Sequence, residues 1–314
     1  MKIYHSYKDF SDIHKHTVVT IGTFDGVHIG HQEIIKRLSG GFNAYKSESV
    51  ILTFFPHPRI VLQKGTSFKL LNTIDEKTNL LQKAGLNHLI IEPFTKEFSR
   101  LTALDFARDI LAEHIKTNKL IIGYDHRFGR NREGNFEQLI EYGKIHGFEV
   151  EEIPAQDIEN ITVSSTKIRR ALEDGEIEKA NSYLGYNYML TGGVVTGNAL
   201  GRQFNYPTIN INIEEDYKLI PKSGVYVVET TIDGQHFFGI MNIGKRPTLN
   251  GKRKTIEVHL LDFNQDLYGE KIQVDLLIRL RDEQKFASLE HLYAQIKKDE
   301  IKARDLIKNG KISF

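Results

Sequence analysis

The sequence contains no cysteine, has almost no excess of charge of either sign, and lacks long apolar runs. Without cysteine the chain cannot form disulfides, use a thiolate nucleophile or bind zinc through thiolates, and a reducing compartment is compatible. The 42 Lys and Arg residues balance 41 Asp and Glu residues, for a net charge of +1. No general field therefore attracts nucleic acid or a membrane surface, and any phosphate recognition must be local. The N-terminus has no apolar signal core and no run approaches membrane-spanning length, so we expect a cytoplasmic protein without nucleic-acid or membrane partners.

The length of 314 residues suggests about two domains, and 40% apolar with 26% charged residues is ordinary for a globular protein. Strand and helix patterns alternate up to about Gly185, which predicts a doubly wound parallel sheet. Beyond it, β-branched and aromatic residues alternate with polar ones between turn glycines, which predicts a closed antiparallel barrel. An amphipathic run over Leu289–Ile307 predicts a helix packed on that barrel. We place the domains at 1–185 and 186–314, an α/β domain followed by an all-β domain.

The stretch from Thr17 to Leu38, TVVTIGTFDGVHIGHQEIIKRL, is typical of a strand, a glycine-rich turn and a helix. Backbone N–H groups at a helix start, next to glycines, form an anion site. His28 and His31 are three residues apart and can point the same way. The functional interpretation is a nucleotide phosphate held by the helix start and both imidazoles, where fixed donors stabilise the charge that develops in nucleotidyl transfer. The alternative is a tight turn with merely exposed histidines.

Two further loops follow predicted strands, at the sheet edge where open α/β sheets bind ligands. The apolar run Ser49–Phe55 ends in Pro-His-Pro-Arg, so His57 and Arg59 are plausible substrate contacts, or else solvated side chains of a stiff loop. After the next-but-one strand, Asp125 could bond a ribose or base and Arg127 could meet phosphate. Exposed Asp and Arg are common in such loops, so this second loop alone is weak evidence.

Three hydroxyl residues open a predicted helix at 164–166, with Arg169 on its first turns. Hydroxyl oxygens at a helix start ordinarily cap free N–H groups, which is the alternative interpretation. The functional interpretation is a second contribution to phosphate binding, opposite the two histidines. The joint occurrence of the two patterns is much more specific than either alone.

In the second half, several glycines precede the sequence YPTIN at 206–210. Thr208 and Asn210 could supply oxygen ligands to Mg²⁺, which takes few protein ligands besides substrate phosphates. The alternative is a glycine-rich hairpin with ordinary turn residues. Glu257 lies in mid-strand with Ile256 and Val258 on the opposite face, where its carboxylate could accept the proton of an attacking hydroxyl. A solvent-facing Glu on an antiparallel strand is the common alternative.

The run GTFDGVHIGH at 22–31 resembles the signature of the nucleotidyltransferase superfamily, in the version found in bacterial bifunctional riboflavin kinase/FAD synthetases. Later motifs resemble the riboflavin kinase domain of that family, so the resemblance covers almost the whole chain: GRQFNYPTIN at 201–210, NIGKRPT at 242–248, IEVHL at 256–260 and LYGE at 267–270. It implies a Rossmann-like nucleotidyltransferase domain followed by a riboflavin-kinase-like β-barrel with a C-terminal helix. It also implies ATP-dependent phosphorylation of riboflavin to FMN and adenylylation of FMN to FAD, with release of pyrophosphate and with Mg²⁺ on the phosphates.

The same resemblance assigns roles to particular residues of this chain. In the adenylyltransferase it implies catalysis by His28, His31 and Arg169, ATP contacts at Gly22, Thr23, Phe24, Asp25, Gly30, Asp125, Arg127, Ser164, Ser165 and Thr166, and flavin contacts at His57, Pro58 and Arg59. In the kinase it implies Glu257 as general base on the ribityl hydroxyl, metal and ATP contacts at Thr208 and Asn210, phosphate contacts at Gly193, Gly197, Gly201, Arg202 and Pro207, and flavin contacts at Arg281 and Phe286.

Three positions depart from the family pattern. The family usually has Gly at the position of Asn205, Ala at the position of Ile209, and an aromatic at the position of His126. The first departure motivates one alternative, a monofunctional FMN adenylyltransferase with an impaired barrel. A non-catalytic flavin-binding regulator is a second. Another adenylyl- or cytidylyltransferase is a third, since His-x-Gly-His is shared across that superfamily. Protein partners are not indicated by the sequence.

Overall fold

The computed structural model describes residues 1–10, 16–40, 47–63, 68–123, 126–153, 163–196, 206–248 and 251–310. The chain forms two compact units, Met1–Ser164 and Ser165–Phe314. The helices over 165–174 and 177–184 therefore group with the barrel in this division, whereas the sequence pattern places them before the boundary at Gly185. The boundary at that residue stays a prediction.

The first unit alternates strands and helices. Its strands are β1 (Lys2–Tyr4), β2 (Thr17–Ile21), β3 (Glu48–Phe55), β4 (His88–Pro93), β5 (Thr117–Gly123) and β6 (Glu149–Ile153). Its helices are α1 (Ile29–Gly40), α2 (Pro58–Leu62), α3 (Ile74–Lys83), α4 (Ala103–Asp105, continued by a π-helix over Phe106–His114) and α5 (Phe136–His146). Single 3₁₀ turns cover Tyr7–Asp9, Phe98–Arg100 and Arg130–Arg132.

The six strands form one parallel sheet in the order β1-β4-β3-β2-β5-β6. The chain runs outward from β2 through β3 to β4, and then returns to place β5 on the other side of β2. The strand order reverses at this point, which makes the carboxyl end of β2 a topological switch point, where open α/β sheets bind ligands. The doubly wound parallel sheet expected from the sequence is confirmed.

The core of this unit lies on both faces of the sheet. Side chains alternate along β2, so Val19 packs with the Phe106 and Ile110 side chains on one face. Val18 packs on the other face with Ile35 of α1. All five residues of β2 are buried, as expected for the central strand of a sheet covered on both sides.

The helix over 103–114 combines two kinds of winding. It begins as an α-helix and continues as a π-helix, and it ends with a bond from the Ile115 N–H to the Ile110 carbonyl, five residues back. The side chains of Phe106, Ala107 and Ile110 are buried along it. Apolar spacing identifies the buried face of a helix, but it does not distinguish bonding four residues back from bonding five residues back.

The second unit is a closed antiparallel barrel with helices. Two helices come first, α6 (Ser165–Asp174) and α7 (Ile177–Leu184). The strands are β7 (Tyr188–Val195), β8 (Ile209–Asn212), β9 (Gly224–Ile232), β10 (Gln235–Thr248), β11 (Gly251–Leu260) and β12 (Lys271–Arg281), and the last helix is α8 (Leu289–Lys308). The barrel closes in the order β10-β11-β8-β7-β12-β9, and Ala303 of α8 packs with Val225 and Leu277. The predicted barrel with its C-terminal helix is confirmed.

Candidate functional site

The turn after β2 lies at the switch point of the parallel sheet. Its backbone enters the left-handed region at Phe24 (φ 46°), Gly26 (φ 90°) and Val27 (φ 36°). Left-handed backbone is unfavourable for the two residues that carry a Cβ, and such conformations persist only where the surroundings hold them. The turn leads directly into α1 at Ile29, so the free N–H groups of the first helical turn lie next to it.

Two imidazoles stack on each other at this helix start. The ring centroids of His28 and His31 are 3.7 Å apart with an interplanar angle of 15°. The His31 backbone N–H donates to Nδ1 of His28 at 3.4 Å, so the neutral His28 ring carries its proton on Nε2. A Cβ at position 30 would lie 3.3 Å from Nδ1 of His28, so Gly30 leaves the room that this ring occupies. The structure therefore brings the two histidines and Gly30 together, beside Phe24, whose ring centroid is 4.8 Å from that of His31.

Burial sets the charge of both rings. It lowers the pKa of His28 to about 4. The pKa of His31 is held well below its ordinary value by burial first, and then by the neighbouring His28 and Lys77. Nδ1 of His31 is itself buried and has no hydrogen-bond partner among the described residues. Near pH 7 both rings are therefore neutral, and each keeps one ring N–H that can donate a hydrogen bond to an anion.

Hydrogen bonds from Lys77, Thr53 and Leu71, which the sequence analysis did not single out, hold the turn. Nζ of Lys77, on α3, donates to the Thr23 carbonyl at 2.7 Å, and the Thr53 hydroxyl donates to the same oxygen at 3.2 Å. Asp25 is 1% exposed, and its Oδ1 accepts a bond from the Leu71 N–H at 2.9 Å. The carboxylate of Asp25, predicted to contact ATP, thus bonds the protein backbone here. Lys77 lies more than fifty residues after the turn, and its contact with Thr23 is visible only in the fold.

The remaining candidates of the first unit occupy different environments. His57 caps α2, because its Nδ1 accepts a bond from the Arg59 N–H at 3.1 Å. The centroid of the Phe68 ring lies 4.9 Å from the centroid of the His57 ring and 5.1 Å from the guanidinium carbon of Arg59. Pro58 opens that helix. Arg127 is exposed, while Asp125 lies outside the described residues.

The hydroxyl run falls at the division between the two units. Ser164 ends the first unit, and Ser165, Thr166 and Arg169 belong to the second. Ser165 opens α6, and Arg169 is half-buried, next in sequence to the fully buried Ile168. The predicted phosphate clamp, which would join these residues to His28 and His31, stays a prediction.

Phenylalanine side chains gather at the carboxyl ends of the strands, and the sequence analysis gave them no role. Phe54, at the end of β3, lies 5.6 Å between ring centroids from both Phe94 and Phe98. Phe106 continues the row at 6.3 Å from Phe98, and Phe128 follows at 5.8 Å from Phe106. The sequence carries no single pattern for this row, because Phe54 lies within β3, Phe94 and Phe98 follow β4, and Phe106 lies in a helix. Only the sheet topology brings them together.

In the second unit, three polar side chains share one row across the barrel. Glu257 of β11 pairs with Asn210 of β8 on one side and with Asn242 of β10 on the other. Side chains directly opposite on antiparallel strands approach within about 5 Å at Cβ. Ile256 and Val258 are buried, while Glu257 between them is half-buried, so the carboxylate lies on the other face of the strand. Sequence reasoning missed Asn242 as a site residue, because its pairing with Glu257 depends on strand register.

The segment that carries Thr208 is anchored at the two preceding residues, Tyr206 and Pro207. The His259 ring bonds the Pro207 carbonyl through Nδ1 at 2.8 Å. The Tyr206 hydroxyl donates to Glu300 of α8 at 3.2 Å, and its ring lies 5.2 Å from that of His259. Thr208 is half-buried and directly precedes β8, two residues before Asn210, which pairs with Glu257. Gly193 of β7 pairs with Asn212 of β8, whereas Gly197, Gly201, Arg202 and Asn205 lie outside the described residues.

The predicted flavin residues of the barrel lie near its last helix. The Arg281 guanidinium forms hydrogen bonds of 2.7 to 3.1 Å with the buried Asp299 carboxylate of α8. Its centre lies 5.9 Å from the Phe286 ring centroid. Arg281 therefore connects β12 to α8, and a contact of Arg281 or Phe286 with flavin stays a prediction.

Across the described parts of the chain, no three His, Asp or Glu side chains cluster as a metal site would require. Oxygen donors such as those of Thr208 and Asn210 are a different donor set, suited to a hard cation that keeps most of its waters. No helix in the ranges that the structure describes has both the length and the apolarity needed to cross a membrane.

The fold and the two sites define a class: a two-domain transferase acting on nucleotides, in which an α/β domain and a β-barrel each carry a phosphate-handling site. Comparison with known proteins gives the family. Residues 10–167 match the FAD synthetase family model, and residues 184–307 match the riboflavin kinase model. The chain belongs to the bifunctional riboflavin kinase/FMN adenylyltransferase family.

Individual relatives agree with this assignment. The chain is 38% identical to the bifunctional riboflavin kinase/FMN adenylyltransferase of Escherichia coli strain K12, over 92% of each chain. It is 37% identical to the enzyme of the same name from Listeria monocytogenes, covering 93% of this chain and 92% of that one. Among solved structures, a Streptococcus pneumoniae protein described as a macrolide-efflux protein is 33% identical, with a TM-score of 0.87, covering 96% of this chain and 98% of that chain. The resemblance inferred from the motifs is confirmed.

Proposed function

We propose that the two domains catalyse consecutive reactions, with the sites divided between the residues described above. The barrel phosphorylates riboflavin with ATP to give FMN, and the α/β domain transfers AMP from a second ATP to FMN, giving FAD and pyrophosphate. The observation that carries the proposal is that both family models match, each on its own part of the chain. Relatives named for both activities cover more than nine-tenths of the sequence.

For adenylyl transfer, an oxygen of the FMN phosphate attacks the α-phosphorus of ATP, and the bond to the pyrophosphate oxygen breaks. The FMN phosphate is already a competent nucleophile, so a strong base is not required. Negative charge develops on the α-phosphate and on the leaving pyrophosphate, where preorganised donors stabilise the transition state. The stacked, neutral rings of His28 and His31 at the start of α1 support this role, and Arg169 would add a fixed positive charge.

The candidate ATP contacts of the adenylyltransferase would surround the same triphosphate. Gly22, Thr23, Phe24 and Gly30 form or flank the turn, and Ser164, Ser165 and Thr166 would act from the start of α6. Phosphate at helix starts is favoured by free N–H groups and by the helix dipole. His57, Pro58 and Arg59, with the phenylalanine side chains at the same edge of the sheet, would serve the flavin.

For riboflavin phosphorylation, Glu257 accepts the proton of the ribityl hydroxyl as its oxygen attacks the γ-phosphorus, and ADP leaves. The strand register supports this role, because Glu257 pairs with Asn210. Thr208 lies two residues before Asn210 in the same segment. General-base catalysis of this kind contributes about 10²- to 10⁴-fold.

Use of ATP in this family generally involves a divalent metal, and we propose Mg²⁺ as that metal. The hydroxyl of Thr208 and the amide oxygen of Asn210 fit a cation that takes few protein ligands besides phosphate oxygens and water. When bound, such an ion neutralises charge on the transferring phosphates. The residues of the chain would hold it beside Glu257 and orient the hydroxyl toward the phosphate.

The test is a time course with the purified full chain. Given riboflavin, ATP and Mg²⁺, it should form FMN first and then FAD, separated by chromatography, and given FMN it should form FAD and pyrophosphate. FAD from FMN with none from riboflavin would contradict the kinase half and favour a monofunctional adenylyltransferase. Tight flavin binding with no consumption of ATP would contradict both halves. Replacing FMN by other phosphomonoesters tests whether FMN is the acceptor.

A further inference from the structure

A buried lysine lies behind the turn that follows β2. Lys77 is 3% exposed, and its Nζ donates to the Thr23 carbonyl at 2.7 Å. Placing an ammonium group in the interior is costly unless it is paired, so a buried lysine needs a specific reason. A methionine or leucine would fill the same volume without that cost. The contact with Thr23 thus points to a role in the turn itself.

The turn is a place where such support is needed. The backbone is left-handed at Phe24 and Val27, two residues for which this conformation is unfavourable. The residues just before and within this stretch are each held from outside, Thr23 by Lys77 and Thr53, and Asp25 by the Leu71 N–H. The bonds from Lys77 and Thr53 fix the Thr23 carbonyl, and the bond from Leu71 fixes the Asp25 carboxylate. Lys77 is the charged member of this set of contacts.

The imidazole pair carries no positive charge of its own near pH 7. His28 and His31 are neutral near pH 7, because burial lowers the pKa of both rings. Lys77 supplies the charge that they do not, and it is close enough to His31 to contribute to the lowering of that pKa. A triphosphate bound at the start of α1 would meet neutral donors, with the ammonium group of Lys77 bonded to the adjoining turn.

The titratable groups next to Lys77 come from the turn, from α1 and from its own helix. Asp25 of the turn favours the charged form of the ammonium group. His31 of α1 is the imidazole whose pKa the charge of Lys77 lowers. On its own helix, Glu76 is buried in a capping box with Thr73, and Asp75 is exposed. Burial outweighs the attraction of Asp25 and lowers the pKa of Lys77 to about 8. A neutral amine still donates to the Thr23 carbonyl, so above this pH the charge is lost while the hydrogen bond can remain.

We infer that Lys77 is a positioning residue for adenylyl transfer, whose ammonium group fixes the Thr23 carbonyl and places a buried positive charge behind the turn that binds the triphosphate. The inference rests on the proposed function of the first unit. It assigns to Lys77 an effect on ATP that is separate from any contact of ATP with the histidines. The expected signature is a rate of adenylyl transfer that depends on the charge of Lys77, which a purely structural contact would not show.

The experiment compares wild-type chain with Lys77→Gln, Lys77→Met and Lys77→Arg, and measures FAD formation from FMN between pH 7 and 9. Gln retains an N–H donor without charge, Met retains volume without either, and Arg retains charge throughout this range. Lys83→Met is the matched control, since Lys83 is an exposed lysine on the same helix. The circular dichroism spectrum and thermal unfolding of each variant report whether its first unit is folded, and riboflavin phosphorylation reports on the barrel.

The wild-type kcat/KM for ATP should fall above about pH 8, approaching tenfold per pH unit. Lys77→Gln and Lys77→Met should lose about 100-fold at pH 7, the effect expected on losing a preorganised electrostatic group, with no further loss to pH 9. Lys77→Arg should be flat above pH 8 whatever its absolute rate. Lys83→Met should follow the wild type, and phosphorylation of riboflavin should be unchanged in all variants.

Two results would overturn the inference: a wild-type profile that is flat from pH 7 to 9, or a Lys77→Gln variant with the rate and pH profile of the wild type. If the wild type makes no FAD from FMN at any pH, the proposed function itself fails. If it makes FAD and Lys77→Gln matches it, only the role of Lys77 fails.

Discussion

At the scale of single residues, the imidazole pair after β2 shows how burial prepares a site for an anion. Two charged imidazoles at a centroid distance of 3.7 Å would repel each other, and both would need hydration that the site does not give. Burial removes the charge and leaves neutral rings at a helix start. If a phosphate binds there as proposed, it meets donors that need no reorganisation, which is the condition for effective transition-state stabilisation.

The same burial makes stability depend on pH at His28. The pKa of this ring is about 4 in the folded chain, compared with about 6.5 when unfolded. The unfolded state binds more protons between these values, so the stabilising contribution is present above pH 6.5 and is lost as the pH falls toward 4. Between pH 7 and 5 the wild type should lose about 2 kcal/mol of unfolding free energy that a His28→Asn variant does not lose. Denaturant unfolding at the two pH values measures the difference.

An equal loss in wild type and His28→Asn would contradict this account of the ring. The comparison within each pH cancels the other acid-sensitive groups, because both proteins carry them. His31→Asn is an informative companion, since burial lowers the pKa of that ring as well. It should also reduce the sensitivity to acid.

At the scale of elements, the barrel places its polar row by strand register. Asn210, Glu257 and Asn242 come from three strands, and a shift of one residue would turn Glu257 toward the buried face of Ile256 and Val258. The close approach of β7 to β8 helps to fix this register. A Cβ at Gly192 would lie 2.4 Å from the Asn212 carbonyl oxygen, a contact that neither backbone can accommodate without moving.

Gly192→Ala should therefore destabilise the barrel by about 1 to 3 kcal/mol, the usual cost of overpacking. The neighbouring Gly193 is the control, because a Cβ there meets nothing within 4 Å. Gly193→Ala should change the free energy of unfolding by less than about 0.5 kcal/mol, as surface substitutions usually do. Thermal unfolding of the full chain, followed by the circular dichroism of its tyrosines, measures both. Equal midpoints for the two variants would show that β7 and β8 are not in close contact.

Most elements could be predicted from the sequence, since β-rich runs and amphipathic patterns act locally. The strand, turn and helix predicted within Thr17–Leu38 are present as β2, the turn after it and α1. The π-helical winding after Asp105 could not be predicted, because it leaves the buried face unchanged. The phenylalanine row and the contact of Lys77 with Thr23 could not be predicted either, since both join residues that are distant in sequence.

At the scale of the whole molecule, the two units carry two different chemistries. In the proposed mechanism, neutral donors at the start of α1 serve adenylyl transfer, where the nucleophile is already ionised. The carboxylate of Glu257, next to amide side chains, would serve the phosphorylation, where a hydroxyl must lose a proton. His28 and His31 lie in the first unit and Glu257 lies in the second.

Two variants test this independence. His31→Ala should abolish formation of FAD from FMN and leave formation of FMN from riboflavin intact. Glu257→Ala should abolish formation of FMN from riboflavin by at least about 100-fold and leave FAD formation from added FMN intact. Each rate is measured by chromatography with purified full chain. Loss of both activities in either variant, with an unchanged circular dichroism spectrum, would contradict independent sites.

The sequence by itself determined the order of most strands and helices, the two-domain organisation and the family. These follow from local periodicity and from motifs in which the functional residues are close in the chain. Only the tertiary structure decided the charge of the histidines, the pairing of Glu257 with Asn242, and the placement of Lys77 behind Thr23. A pKa depends on burial, a cross-strand pair depends on register, and a contact between distant segments depends on sheet order, and each of these exists only once the chain has folded.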